Sequence, residues 1–233
     1  MIKSLLNLIT TILYKFLKKI FIFRTFSQEG EDLVISRLYN FKNHKSKFFL
    51  DIGAGHPIKY SNTFLLYING LNGISIDANN KNILLHRILR PKDISKKLLI
   101  SNKTSKKYFY IFDSPELNTS SKRKINFLKK KKINYKKKIL YQTLSVQDFF
   151  KKEIKEKIKD IIFFNLDVEG LEYQIVKEIN WKKFKPKVIC IEILNHDLNK
   201  SSKNNIFKLL KKNGYVLKSK LYNSSIFLKN EKR

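Results

Sequence analysis

Short apolar runs that end in an acid or a glycine alternate along this chain with stretches whose apolar residues recur at helical spacing. Lys47 to Ile52 is a mainly apolar run leading into a glycine loop, and Ser61 to Ile68 then reads as a helix capped by Ser61 or Asn62. Gly73 to Asp77 predicts a second strand, Asn80 to Leu89 a helix that Pro91 stops, and Leu98 to Ser101 a third strand. Tyr108 to Phe112 is a further extended piece, with a loop at Pro115 and Asn118 to Ser121. Thr143 to Phe150 opens a helix. Ile161 to Leu166, apolar except for Asn165, predicts a strand buried on both faces, followed by a helix over Gly170 to Ile179. Val188 to Ile193 is the next buried strand, Asn204 to Asn213 a helix, and Tyr215 to Leu217 with Ser225 to Leu228 a closing strand pair. Such alternation predicts an α/β fold: a mostly parallel sheet with one antiparallel edge strand and helices on both faces.

Length and composition narrow this to one domain. A chain of 233 residues with 42% hydrophobic and 13% aromatic content builds one sizeable core. We expect it over residues 26–230, with a Lys-rich insertion at about 117–138 and an N-terminal helix over 1–25. The 49 basic residues against 19 acids give a net charge of +30, which points to nucleic acid or an anionic membrane. Yet only six are Arg, and Lys, Asn and Ile abound together, as compositional drift would produce; recognition of nucleic acid favours the planar fork of Arg. No acid occurs between Leu117 and Gln147, where Lys122 to Lys124, Lys129 to Lys132 and Lys136 to Lys138 cluster. Its default reading is a solvated or flexible insertion; its functional reading is a lid or surface for an anionic acceptor or membrane.

Ile2 to Phe23 is apolar but interrupted by Lys3, Lys15, Lys18 and Lys19, so no uncharged run reaches the roughly 20 residues that span a bilayer. Ser4, Asn7, Thr11, Lys15 and Lys18 leave a broad apolar face, suited equally to a membrane interface or to packing on the domain. Lone Cys190 fits a reducing, cytoplasmic compartment and a plain core position. His44, His56, His86 and His196 have no zinc spacing, so no metal site is expected.

In open α/β sheets ligands bind beyond the carboxyl ends of the strands, where Asp51, Gly53, Ala54 and Gly55 fall. Glycines let backbone approach a ligand, and the loop offers amide donors. Asp77, closing the second strand 26 residues after Asp51, is placed to accept hydrogen bonds from the ribose of an adenosine cofactor, near the roughly 20-residue spacing of such pairs. His56-Pro57-Ile58 replaces the third glycine of GxGxxG and disfavours a dehydrogenase.

The chain resembles the FkbM methyltransferase family over about residues 26 to 195. The resemblance rests on Phe26 to Asp32 (FSQEGED), Asp51 to Pro57 (DIGAGHP), Ser61-Asn62-Thr63, Gly73 to Ala78 (GISIDA), Asp167 to Glu172 (DVEGLE) and Ile191-Glu192. It implies a Rossmann-like seven-strand methyltransferase sheet, S-adenosylmethionine as donor, and a hydroxyl acceptor on a sugar, surface polysaccharide or similar small metabolite. Gly53, Ala54 and Gly55 would then approach the methionine portion, with Asp51 nearby and Asn62 joining the site. Asp77 would hold the ribose, and Asn102 would lie near the adenine. Ser27, Gln28, Glu29 and Glu31 read as a helix cap with first-turn acids; the resemblance makes this segment, Gln28 and Glu31 above all, a candidate to close over the cofactor. Asp167 and Glu169 would face the shared cleft, although acids before a helix also cap it. Asp167 and His196 are the candidate bases, Asp167 preferred; Glu192, Glu172 and His56 are acceptor-side candidates. The rival readings are an RNA methyltransferase, against which stands the lack of aromatic and Arg interleaving, and a non-catalytic scaffold of a polysaccharide assembly complex.

Overall fold

A computed structural model describes residues 8–9, 11–12, 25–41, 47–114, 117–193 and 204–230. Helix α1 (Glu31–Leu38) leads through β1 (Phe48–Ile52), α2 (Phe64–Ile68), β2 (Gly73–Asp77) and α3 (Asn80–Leu89) to β3 (Ile94–Lys97). An excursion follows, made of β4 (Leu99–Ser101), β5 (Lys106–Ile111), α4 (Lys122–Lys130) and β6 (Lys137–Ser145). The chain returns through α5 (Val146–Phe149), a π-helical turn (Phe150–Ile154) and a 3-10 stretch (Lys155–Asp160) to β7 (Ile161–Leu166). It finishes with α6 (Glu172–Val176), β8 (Val188–Glu192), α7 (Asn205–Lys212), β9 (Tyr215–Lys220) and β10 (Ser224–Lys229).

The main sheet has seven strands in the order β3-β2-β1-β7-β8-β10-β9. The first five are mutually parallel, and β10 runs antiparallel to both β8 and β9. The expected antiparallel strand is therefore β10, at this edge with β9 outside it. Alternation along each strand divides two cores. Leu50, Ile52, Phe164, Leu166, Ile189 and Ile191 face Phe149, Ile175, Phe207 and Leu210 from α5, α6 and α7. Phe49, Phe163 and Cys190 face Ile35 of α1 and Phe64 and Tyr67 of α2. Cys190 is a core residue on this second face.

The third strand of the main sheet is Ile94–Lys97, not the more apolar Leu98 to Ser101. Leu99–Ser101 instead starts a three-stranded side sheet, β4-β6-β5. Leu98 donates to the Asp77 carbonyl at 3.1 Å, which pins the side sheet to the carboxyl end of β2. The Lys-rich stretch contains a helix, α4, whose lysines are mostly solvated. Ser121 caps α4 by accepting from the Lys124 amide at 3.3 Å, and Ile125 and Leu128 close a small core with Phe112. Apolar residues four or three apart suffice to seat the helix, and its lysines occupy the remaining face. Of the predicted N-terminal helix only 8–9 and 11–12 are described; these are helical, with Leu8, Ile9 and Ile12 exposed. The rest of that prediction lies outside the described residues. Among the described residues no helix is long and apolar enough to cross a membrane.

His86, wholly buried on α3, has both ring nitrogens without a hydrogen-bond partner, and burial lowers its pKa to about 3. The unfolded chain takes up a proton near pH 6.5 that the folded one refuses, so this residue's contribution to stability is lost as pH falls below that value. Between pH 7 and 5 the loss is about 2 kcal/mol. Urea unfolding of the native chain and of His86→Gln at both pH values should show this difference; parallel pH profiles would contradict it.

Candidate functional site

The carboxyl ends of β1, β2, β7 and β8 meet in one cleft, and the first two are joined by backbone. Gly53 and Ala54 donate to the Ile76 carbonyl at 2.9 and 3.0 Å, and the Asp167 amide donates to the Ile52 carbonyl at 3.0 Å. Gly53 has φ 83°, and a Cβ there would overlap the carbonyl oxygen of Asp167, so only glycine lets the loops after β1 and β7 cross. Gly55, at φ 58°, is different: a Cβ on it would meet open space. The loop thus leaves open space beside Gly55 alone, while Gly53 is packed on the next loop.

Asp77 closes β2 against this loop. Its Oδ2 accepts from the Gly55 amide at 2.9 Å and from Asn82 Nδ2 at 3.3 Å, and its Oδ1 from the Asn79 amide at 2.5 Å. Burial nevertheless raises its pKa to about 6, against the pull of those bonds. Beside it, Tyr141 of β6 donates its hydroxyl to the Ala78 carbonyl at 3.0 Å, so the side sheet supplies a wall next to the acid. Asn102 lies past β4, where its Oδ1 accepts from Ser101 Oγ at 3.1 Å and from Lys107 Nζ at 3.3 Å.

Asp51 sits beneath the loop rather than in the cleft. It is 1% exposed, and its oxygens accept from Thr63 Oγ1 at 2.7 Å and Asn165 Nδ2 at 2.8 Å. Asn62 donates to Asn165 Oδ1 at 3.0 Å, which carries this buried chain of bonds to the edge of the cleft. Arg90 anchors its other end, donating to Thr63 Oγ1 at 3.0 Å while pairing with Asp93 at 2.7 Å and lying over the rings of Phe49 and Tyr67. Burial raises the Asp51 pKa, opposed by Thr63, Asn165 and Arg90. The Asp51 side chain ties the end of β1 to the start of α2 and to β7. Arg90 was invisible as a partner in the sequence, where it reads only as a helix end before Pro91; Asn165, a lone polar residue in an apolar strand, was the available signal.

The segment before α1 is fastened to the turn between β9 and β10. Glu29 accepts from the Asn223 amide at 2.9 Å, and Glu31 accepts from Ser224 Oγ at 2.8 Å and from the Glu29 amide at 2.8 Å. Glu31, 2% exposed, is a fastening group, whereas Gln28 is exposed. Because Ser224 pairs with Glu192, this strap lies at the mouth of the cleft.

Across the mouth, Asp167, Glu169 and Glu192 bring one carboxylate oxygen each within 4.8 Å of one another. Lys124 of α4 forms an ion pair with Glu169, and Thr119 donates to the Glu169 carbonyl at 2.7 Å, so the Lys-rich excursion contributes to the site. Burial, then the charges of Glu192, Glu169 and Glu172, hold the Asp167 carboxyl well above the usual range, and burial with Glu169 pushes Glu192 up to about 8. Glu172 is a helix-start residue, accepting from the amides of Val168 and Gly170 at 3.0 Å. His56 is exposed, and its Nδ1 accepts from the amides of Ile58 and Lys59 at 3.1 Å, which makes it a turn cap. His196 lies outside the described residues. Spacing did not reveal the three-carboxylate group, because Glu192 comes from a different strand than Asp167 and Glu169, and His and Cys take no part.

The Methyltransferase FkbM domain matches residues 51–217. No curated protein matches the chain. Among solved structures it is similar to precorrin-6y C5,15-methyltransferase from Geobacter metallireducens GS-15, at 12% identity over 84% of each chain with a TM-score of 0.37. The family match spans well over half of the chain and contains the glycine loop, Asp77 and all three mouth carboxylates: the chain belongs to the FkbM methyltransferase family, and it is a methyltransferase.

Proposed function

We propose that this methyltransferase uses S-adenosylmethionine and methylates a hydroxyl of a sugar, surface polysaccharide or similar small metabolite. The observation that carries the donor is the clasp between the Gly55 amide and the Asp77 carboxylate at the edge of an open cleft. A ribose diol needs an acceptor such as Asp77 at that strand end, and the open space beside Gly55 leaves room for the methionine portion. Tyr141 and Asn102 border the adenine side. When bound, the donor supplies a methyl group on a sulfonium whose leaving thioether is neutral.

The chain's own tasks are then alignment and proton removal. Alignment contributes on the order of 7 to 11 kcal/mol in well-oriented reactions, and a general base about 10²–10⁴-fold. Asp167, whose carbonyl touches Gly53, stands beside the methionine loop, where its carboxyl is placed to take the hydroxyl proton. His196 is the second candidate base. An acid-lined mouth favours a polyhydroxyl acceptor over the phosphate backbone of RNA, which three clustered carboxylates would repel. The exposed lysines of α4 and β6, with Phe127 and Leu140 about half exposed among them, support peripheral contact with an anionic membrane on its cytoplasmic side.

Incubation with methyl-labelled donor and a panel of nucleotide sugars, glycolipids and RNA tests this reading: label is expected in a sugar-bearing fraction. Asp167→Asn should lower turnover by about 10²-fold or more with donor affinity little changed. Near-normal turnover in that variant would remove Asp167 from the chemistry, and failure of the native chain to bind the donor would favour a scaffold.

A further inference from the structure

Among the described residues, four of the large apolar side chains left exposed lie on the excursion: Tyr108, Phe127, Ile133 and Leu140. The register of β5 with β6 sets Tyr108 directly opposite Leu140, so both project from one face of the side sheet, and each is about half exposed. Tyr110, further along that face, packs instead against the cluster of Phe112 with Ile125 and Leu128 of α4. The helix therefore covers one end of the face and leaves the end with Tyr108 and Leu140 bare. Lys106 and Lys138 project from the same face, and Lys138 Nζ lies 4.9 Å from the centre of the Tyr108 ring. On α4 itself, Lys131 Nζ stands 4.7 Å from the centre of the half-exposed Phe127 ring. No acid occurs from Leu117 to Gln147, and nearby Asp113 is already paired with Lys136. Lysine alone is no signal in a chain that carries +30. At the opposite end of the sheet Lys159, Lys182, Lys183 and Lys185 gather around a single apolar residue, Ile158. What sets the excursion apart is lysine interleaved with aromatic and aliphatic side chains.

We infer that this surface docks on an anionic lipid leaflet and that the methyl acceptor is itself borne on that leaflet, as a polyhydroxyl group carried by a lipid anchor. Lysine stems lie along apolar surface while their ammonium groups reach headgroup phosphates, and Tyr108, Phe127 and Leu140 enter the boundary beneath them. Each lysine held near such a surface adds to the attraction. RNA is the poorer match. Leu140 and Ile133 offer a base no stacking, and Arg123 is the excursion's one guanidinium. Lys131 and Lys138 also occupy a face of the Phe127 and Tyr108 rings that a stacked base needs.

Helix α4 ties this surface to the mouth of the cleft. Lys124, three residues before Phe127 and so on the same side of the helix, pairs with Glu169. The cap of α4 abuts the next residue of that loop, since a Cβ on Gly170 would come within 3.0 Å of Ser121 Oγ. Thr119, which leads into the helix, donates to the Glu169 carbonyl at 2.7 Å. A leaflet that receives Phe127 therefore lies about one helical turn, roughly 5 Å along α4, from the Glu169 contact. A free sugar gains nothing from that proximity. An acceptor anchored in the leaflet is confined to a layer beside the mouth, which raises its effective concentration there. The inference deepens the hydroxyl-methylating reading and rests on it for the acceptor, whereas the docking surface stands independently of it.

The test is sedimentation of the full chain with phosphatidylcholine vesicles, with and without phosphatidylglycerol at about a third of the lipid, near physiological salt. Binding is expected to the anionic vesicles only. It should weaken about tenfold when Phe127→Ser is combined with Leu140→Ser, and likewise when Lys131→Gln is combined with Lys138→Gln. Lys182→Gln with Lys183→Gln removes the same two charges from the opposite end of the sheet and should stay within about twofold of native. All six side chains are exposed, and matching urea midpoints check that the variants fold. Equal losses in the two lysine pairs, or binding to single-stranded RNA but not to the vesicles, overturns the docking surface. Methyl transfer is then measured on the glycolipids of the acceptor panel, held in those vesicles or cleaved from their lipid. The vesicle-held form should be labelled about tenfold faster or more, an advantage lost in the Phe127→Ser, Leu140→Ser chain. Equal rates on the two forms overturn the membrane-borne acceptor and leave the methyltransferase reading intact. Vesicle binding with no label in any sugar-bearing fraction removes the sugar-hydroxyl reading, and the acceptor assignment with it, while the docking surface stands.

Discussion

Asp77→Ala is expected to lower the affinity for S-adenosylmethionine by on the order of a hundredfold, because two hydrogen bonds to a charged acceptor are each worth about 1.5–3 kcal/mol. The loop itself should survive, since Gly53 and Ala54 remain tied to the Ile76 carbonyl. Stability should change little at neutral pH. The Asp77 pKa is raised to about 6, so the folded chain retains a proton that the unfolded one releases near 3.8, and this residue's stabilising contribution is lost as pH rises through that window. Donor affinity runs the other way: it should fall as pH drops below about 6, where the carboxyl gains a proton and accepts less well. Calorimetric titrations at pH 5 and pH 7.5 would show that dependence in the native chain and not in the variant. Affinity within about twofold of native would remove Asp77 from the donor site.

Gly53→Ala should be the most destabilising small substitution in the loop, costing roughly 4 kcal/mol or more. The added Cβ collides with a backbone oxygen, that of Asp167, which cannot rotate away, and the residue's φ of 83° is unfavourable to any side chain. Gly55→Ala supplies the comparison. With open space around its Cβ position it should cost only about 1–2 kcal/mol through its left-handed conformation, while its methyl projects into the region assigned to the donor. Urea unfolding of both variants measures the contrast, and equal costs would contradict the crossing of the two loops.

The sequence made the central strands and the glycine loop plain because their patterns are strong and local. Ile161–Leu166 is apolar at nearly every position, as a strand covered on both faces must be, and Asn80–Leu89 has a cap at Asn79 and a proline beyond its end. Ile94–Lys97 was hidden for the opposite reason: as the sheet's outer strand it is half exposed and ends in two lysines, so it resembles a loop. The α4 helix was masked by lysines that outnumber its two buried anchors. In the site, the resemblance pointed to the glycine loop and Asp77 as donor contacts and put Asp51 with them, without separating Asp51 beneath the loop from Asp77 beside it. Both are strand-end acids, and the difference lies in Thr63 and Asn165, distant partners that saturate one of them. Lys124 was one lysine among many until the fold placed it against Glu169.

The insertion of β10 between β8 and β9 also orders events during synthesis. When β9 leaves the ribosome it has no permanent neighbour, since the position beside β8 must stay vacant for a strand that emerges afterwards. The strap from Glu29 to Asn223 joins residues 194 positions apart, so the first part of the domain to be made is fastened by almost the last. A nascent chain of this protein therefore carries an open sheet edge at β8 until β10 has been made, the condition under which strand edges recruit chaperones or one another.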